Sequence, residues 1–147
     1  MTEMASSPKM EELKAIAVRY SLAAIYGFGS RASEVAQRLA GEAVAAVHPG
    51  SDVDIGVRAA PGLRLSARDR VRLATDLEDL LGVGRVDLVI LTEADPFLAL
   101  DVIRGDLLYC ADKDAQAEEE LHILRRAGDL APYARERWKQ ILAGSGS

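Results

Sequence analysis

Apolar residues along this chain follow two rhythms, and the switches between them mark the expected elements. Leu13, Ile16, Ala17 and Tyr20 recur at helical spacing behind Pro8, which suits a first helical position, so the pattern predicts a helix over 8–20. Residues 23–28 read as a strand, and the alanine-rich stretch 32–47 as a helix weakened in its middle by Gly41. His48-Pro49-Gly50 is a turn, followed by a strand over 53–58 and a break at Ala60-Pro61-Gly62. Leu73, Leu77, Leu80 and Leu81, with the small Ala74 on the same face, predict an amphipathic helix over 66–81, closed by Gly82 and Gly84. A third strand is expected over 85–91, then a short helix capped by Thr92 and ending near Gly105, then a strand over 106–110. The tail from Asp112 reads as helical, with a break over 128–132 and a second helix ending near Ala143.

Alternating strands and helices with short connections predict an α/β (α+β) fold: a mixed sheet of about four strands with helices packed against it. The 147 residues suit one domain, 1–147, with a helical tail over about 112–143. We find neither an internal repeat nor an interdomain linker.

Composition narrows the function classes. Hydrophobic residues make up 49% and charged residues 28%, as in ordinary globular domains, and no apolar stretch is long enough to span a bilayer. The first nine residues lack the basic-then-apolar order of a secretory signal, and Cys110 is the single cysteine, so a reducing cytoplasm is the expected location. The net charge of -5 weighs against stable nucleic-acid binding. It does not weigh against a nucleotide, because metal ions offset carboxylate charge locally.

The chemistry concentrates in Ser51-Asp52-Val53-Asp54-Ile55-Gly56-Val57. Strand side chains alternate, so Asp52 and Asp54 share one face while Val53, Ile55 and Val57 point to a core. Two neighbouring carboxylates repel unless cations sit between them. Asp87 interrupts a further apolar run, Val86-Asp87-Leu88-Val89-Ile90-Leu91. Hard divalent cations, Mg2+ or Mn2+, favour carboxylate and phosphate oxygens together. Gly29-Ser30 follows a strand and opens a helix, and reads either as a plain cap or as a place where backbone approaches an anion. Arg31 beside it reads either as a nucleotide contact or as a solvated surface residue. The chain has no P-loop, and Gly27-Phe28-Gly29 lacks the third glycine of a dinucleotide fingerprint.

Other polar residues read as structural. His48 and His122 lack partners at zinc spacing, Cys110 reads as a core thiol, and Glu118-Glu119-Glu120 as a solvated helix face. Trp138 among Arg135, Arg137 and Lys139 is either core and surface, or a partner contact.

The order Gly29-Ser30, then Asp52-Val53-Asp54, then Asp87, each on a strand or strand end, resembles the polymerase-β-like nucleotidyltransferase superfamily. Its minimal nucleotidyltransferase branch (MNT) is similar in Tyr26-Gly27-Phe28-Gly29-Ser30-Arg31-Ala32, in Ser51 through Gly56, in Arg85 through Ile90, and in the segment 106–110 with its helical tail. The resemblance implies that Asp52, Asp54 and Asp87 are the catalytic carboxylates and metal ligands. Asp87 would bind metal or act as base toward the acceptor hydroxyl. Gly29 and Ser30 would contact the triphosphate, with Arg31 and Ser51 as further nucleotide contacts. One departure stands out: Arg31 to Ser51 is a longer insertion between Gly-Ser and Asp-x-Asp than the family usually carries.

The resemblance further implies a transferase that moves AMP from ATP to an acceptor hydroxyl and releases pyrophosphate. Many MNT proteins are antitoxins of HEPN–MNT pairs, which bind a HEPN RNase toxin and adenylylate a tyrosine on it. A homo- or hetero-oligomer would follow. Two alternatives stand beside this reading: a catalytically idle antitoxin acting by binding alone, and a nucleotidyltransferase with a small-molecule acceptor.

Overall fold

Side-chain caps set where most of the described helices begin. The computed structural model describes residues 7–42 and 52–145, with side chains as far as Asp129. Ser7 accepts from the Met10 amide at 3.1 Å, and Pro8 opens α1 (Pro8–Arg19). Strand β1 (Leu22–Phe28) leads to α2 (Ala32–Leu39), and β2 (Val53–Ala59) to α3 (Ala67–Leu81). Ser66 caps α3 by accepting from the Asp69 amide at 3.1 Å, and Gly82 ends it in the left-handed region at φ 66°. Strand β3 (Val86–Ile90) runs into a single 3-10 turn, Leu91–Glu93. Then come α4 (Pro96–Ile103), β4 (Asp106–Cys110) and the long α5 (Lys113–Ser145).

Three expectations about helix limits need correction. The cap of α4 is Asp95, accepting from the Phe97 and Leu98 amides at 2.9 Å each, and Thr92 lies in the 3-10 turn. The reason is Pro96, which disfavours helical backbone at the residue before it, so no helix can run through from Thr92. Helix α2 stops at Leu39, with Gly41 at φ 87°; the rest of the stretch predicted as helical, and the turn at His48-Pro49-Gly50, lie outside the described residues. The break expected over 128–132 is absent, because α5 continues through it. Pro132 removes one helical donor, the amide that would otherwise bond the Gly128 carbonyl, and one missing bond does not end a helix of this length.

The sheet order is β3-β2-β1-β4, with β1 antiparallel to β2 and β4, and β2 parallel to β3. Every residue of β1 is buried, and its side chains divide between two cores. On one face, Ile25 joins Val53, Ile55 and Val57 of β2 beneath Leu13 and Ile16 of α1 and Leu73 and Leu77 of α3. On the other, Ala24, Tyr26 and Phe28 pack with Ala99 and Val102 of α4 and Ile123 of α5. Gly56 is required on that second face, since a Cβ there would meet Val102 Cγ1 at 2.4 Å. Cys110, expected in the core, is only half-buried at the edge of this cluster.

A polar network ties α5 to the sheet. Arg58 Nε and Nη2 donate to Gln116 Oε1 at 2.9 and 2.7 Å, and Gln116 Nε2 donates to the Tyr26 hydroxyl at 2.7 Å. The Tyr26 hydroxyl in turn donates to Glu120. Glu120 therefore leaves the solvated face expected for 118–120 and turns inward. No helix among the described residues is long and apolar enough to cross a membrane.

Candidate active site

Parallel pairing of β2 and β3 puts Asp54 and Asp87 directly opposite each other, in the same register as Val53 with Val86 and Ile55 with Leu88. Both carboxylates lie on the face opposite the Val53–Ile55–Val57 core. Asp52 stands two residues before Asp54, at the entry to β2. Asp54 is half-buried, and burial raises its carboxyl above the usual range, with further contributions from the Asp87 and then the Asp52 charge.

A cation that sequence reasoning passed over sits beside this group. Arg85 Nε lies 3.5 Å from Asp52 Oδ2, with both side chains open to solvent. The period of two could have found it, because Arg85 precedes Asp87 by two positions and shares its face.

The loop after β1 closes over the same carboxylates. Phe28 is paired with Asp54 across the β1–β2 ladder, so the next residue, Gly29, arrives beside that side chain. Gly29 adopts φ 79°, and a Cβ there would stand 2.3 Å from Asp54 Oδ2. Ser30 follows, exposed, just ahead of α2. Arg31 turns away: it is buried, with Nε and Nη2 on the two Glu34 oxygens at 3.0 and 2.6 Å. Arg38 also donates to Glu34, at 2.9 Å, and to the Leu81 carbonyl at 3.2 Å, so this group links α2 to α3. Ser51 lies outside the described residues, as do His48 and the side chains of Arg135, Arg137, Trp138 and Lys139.

The structure thus brings Asp52, Asp54, Asp87, Gly29 and Ser30 to one end of the sheet and commits Arg31 to an internal ion pair. Among the described residues no three acidic, histidine or cysteine side chains close into a ready cage for a metal ion. The donor chemistry still fits a hard divalent cation, because Asp54 sits among like charges that such an ion would offset. An arrangement of this kind can hold anionic oxygens beside a Gly-Ser turn and take a proton at a carboxylate.

The chain matches the family described as polymerase beta, nucleotidyltransferase over residues 11–114. Its fold is also similar to solved structures. One is a toxin–antitoxin with AMP-PNP, at TM-score 0.68 and 22% identity, covering 90% of this chain and 98% of that one. A second is the toxin–antitoxin MntA–HepT, at TM-score 0.58 and 20% identity, covering 95% and 97%. A third is the tri-AMPylated Shewanella oneidensis HEPN toxin in complex with MNT antitoxin, at TM-score 0.58 and 23% identity, again covering 95% and 97%. No curated protein sequence matches the chain.

Proposed function

We propose, from the premise that this chain belongs to the polymerase beta nucleotidyltransferase family, that it is a single-domain antitoxin which transfers AMP from ATP to a tyrosine hydroxyl of a cytoplasmic HEPN toxin. The observation that carries the reading is the register of Asp54 against Asp87 beneath the Gly29 turn. Likeness to complexes of HEPN toxins with their antitoxins supports the choice of partner.

In this reading the Gly29 and Ser30 turn receives the triphosphate, with backbone amides and the Ser30 hydroxyl directed at its oxygens. Ser51 is proposed as a further contact. Arg31 acts indirectly, by fixing the start of α2 through Glu34. Asp52, Asp54 and Asp87 would hold Mg2+ or Mn2+, which supplies charge neutralisation at the phosphates. The acceptor oxygen attacks the α-phosphorus, and the bond from that phosphorus to the pyrophosphate oxygen breaks. The hydroxyl proton passes to Asp87, the most exposed of the three carboxylates and so the one an incoming acceptor reaches.

Intact-mass spectrometry of a co-expressed HEPN toxin tests this. The expected result is a mass increase of AMP units that requires ATP and a divalent metal. A toxin silenced without any added AMP, equally by wild type and by Asp52→Asn or Asp54→Asn, would replace this reading with inhibition by binding alone.

A further inference from the structure

Carboxylates crowd one end of the sheet, and arginines crowd the other. Where β1 begins and β2 ends, with Leu22 opposite Ala59, a cleft of about 410 Å3 opens, lined by Arg19, Arg64 and Arg72 together with Ser21, Leu63 and Asp69. The chain carries a net charge of -5, so this local excess of cations runs against its composition.

The arginines differ in how far they are already satisfied. Arg19 is held 2.9 Å from Asp76, which also accepts from the Tyr20 hydroxyl at 2.6 Å. Arg64 reaches Glu93 only at 3.9 Å, and both Glu93 oxygens are already taken by Arg70 at 2.9 and 2.5 Å. Arg72 has no ion pair or hydrogen bond among the described residues.

Ser21, at φ 53°, ends α1 in the left-handed region, and its carbonyl accepts from the Ala60 amide at 2.9 Å, which sets the floor of the cleft. One further feature points to a ligand. Leu63 is 56% exposed and gives the cleft an apolar wall beside the guanidinium groups. Planar guanidinium forks match phosphate oxygens, and an apolar wall suits an organic group attached to them. The volume lies within the range of small-molecule sites, roughly 300–1,000 Å3.

We propose that this cleft binds a small di- or oligophosphate ester, with Arg64 and Arg72 on the phosphate oxygens and Leu63 against the organic part. The site is remote from Asp52, Asp54 and Asp87 and does not depend on the transferase reading.

Isothermal titration calorimetry on the full chain tests it, with inorganic pyrophosphate and ADP as probes, in EDTA and at low salt. Both probes should saturate one site in wild type and in Asp54→Asn alike. The double change Arg64→Ala with Arg72→Ala should weaken binding by about tenfold or more. Leu63→Ala should weaken ADP but not pyrophosphate. Arg68→Ala, exposed on the same helix but outside the cleft, should bind as wild type. Circular dichroism should show all variants folded, since Leu63, Arg64, Arg68 and Arg72 are exposed and asparagine keeps the shape of the half-buried Asp54. The proposal is overturned if neither probe binds, if Arg68→Ala weakens binding as much as the double change, or if Asp54→Asn abolishes it. An oligonucleotide that binds more tightly than pyrophosphate, through Arg68 as well, would instead assign a nucleic-acid surface.

Discussion

Gly29 and Asp54 compete for one volume: a Cβ on the glycine would lie 2.3 Å from Oδ2 of the aspartate. The Gly-Ser turn and the inner carboxylate of β2 can therefore coexist only while position 29 has no side chain. Gly29→Ala faces a second penalty from its left-handed backbone at φ 79°, on the order of 1–2 kcal/mol. We expect a lower denaturation midpoint and a loss of AMP transfer larger than the loss of stability explains. A variant that melts and transfers like wild type would separate the turn from the carboxylate.

Asp54→Asn should stabilise the metal-free protein at neutral pH. The Asp54 carboxyl titrates above its unfolded value because of burial and the charges of Asp87 and Asp52. Between the two values the native state holds more protons than the unfolded state, so stability falls as pH rises through that window. Asparagine removes this loss, and its advantage should vanish below the ordinary carboxylate range. Thermal melts of both proteins across pH, in chelator, give the comparison; added Mg2+ should stabilise wild type more than the variant.

Asp52→Asn and Asp87→Asn should each abolish AMP transfer while leaving complex formation with the toxin intact. Both side chains are at least partly open to solvent and neither closes a core, so the fold should tolerate the change. Gel filtration of the co-expressed pair reports docking, and intact mass reports transfer. Loss of both together would mean that these positions act in assembly.

Tyr26→Phe should loosen α5. The Tyr26 hydroxyl donates to Glu120 and accepts from Gln116, and burial together with Glu120 pushes its pKa well above the ordinary tyrosine value. Removing that hydroxyl strands two polar partners, at a cost of about 1–3 kcal/mol. Faster amide exchange over 113–127 than over β2 would report the effect, and unchanged exchange there would count against the network as the anchor of α5.

Segments with strong periodicity were legible in the sequence. Leu73, Leu77, Leu80 and Leu81 form the buried face of α3, and Val53, Ile55 and Val57 alternate into the core. The spacing of Asp52 and Asp54 sufficed to put them on one side of a strand. Their relation to Asp87 was not legible to the residue, because register belongs to a pair of strands and neither segment encodes its neighbour. Partner choice misled at single positions. Arg31 stood next to Gly29-Ser30 but answered to Glu34 one turn onward, and Glu120 answered to Tyr26 across 94 positions. Local chemistry also reads poorly where two signals compete, as when Pro96 passed the cap of α4 from Thr92 to Asp95.

The parallel pairing of β2 with β3 has a consequence for the order of events during synthesis. A parallel pair cannot be joined by a hairpin and needs a long crossover, supplied here by α3. Asp54 and Asp87 therefore stay apart until α3 has folded against the sheet, and a nascent or clipped fragment ending before Val86 lacks the second carboxylate altogether. Contacts this distant in sequence form late, after loop closure. Under the proposed function, reactivity toward ATP would arrive together with the finished core, so a partly made chain would spend none.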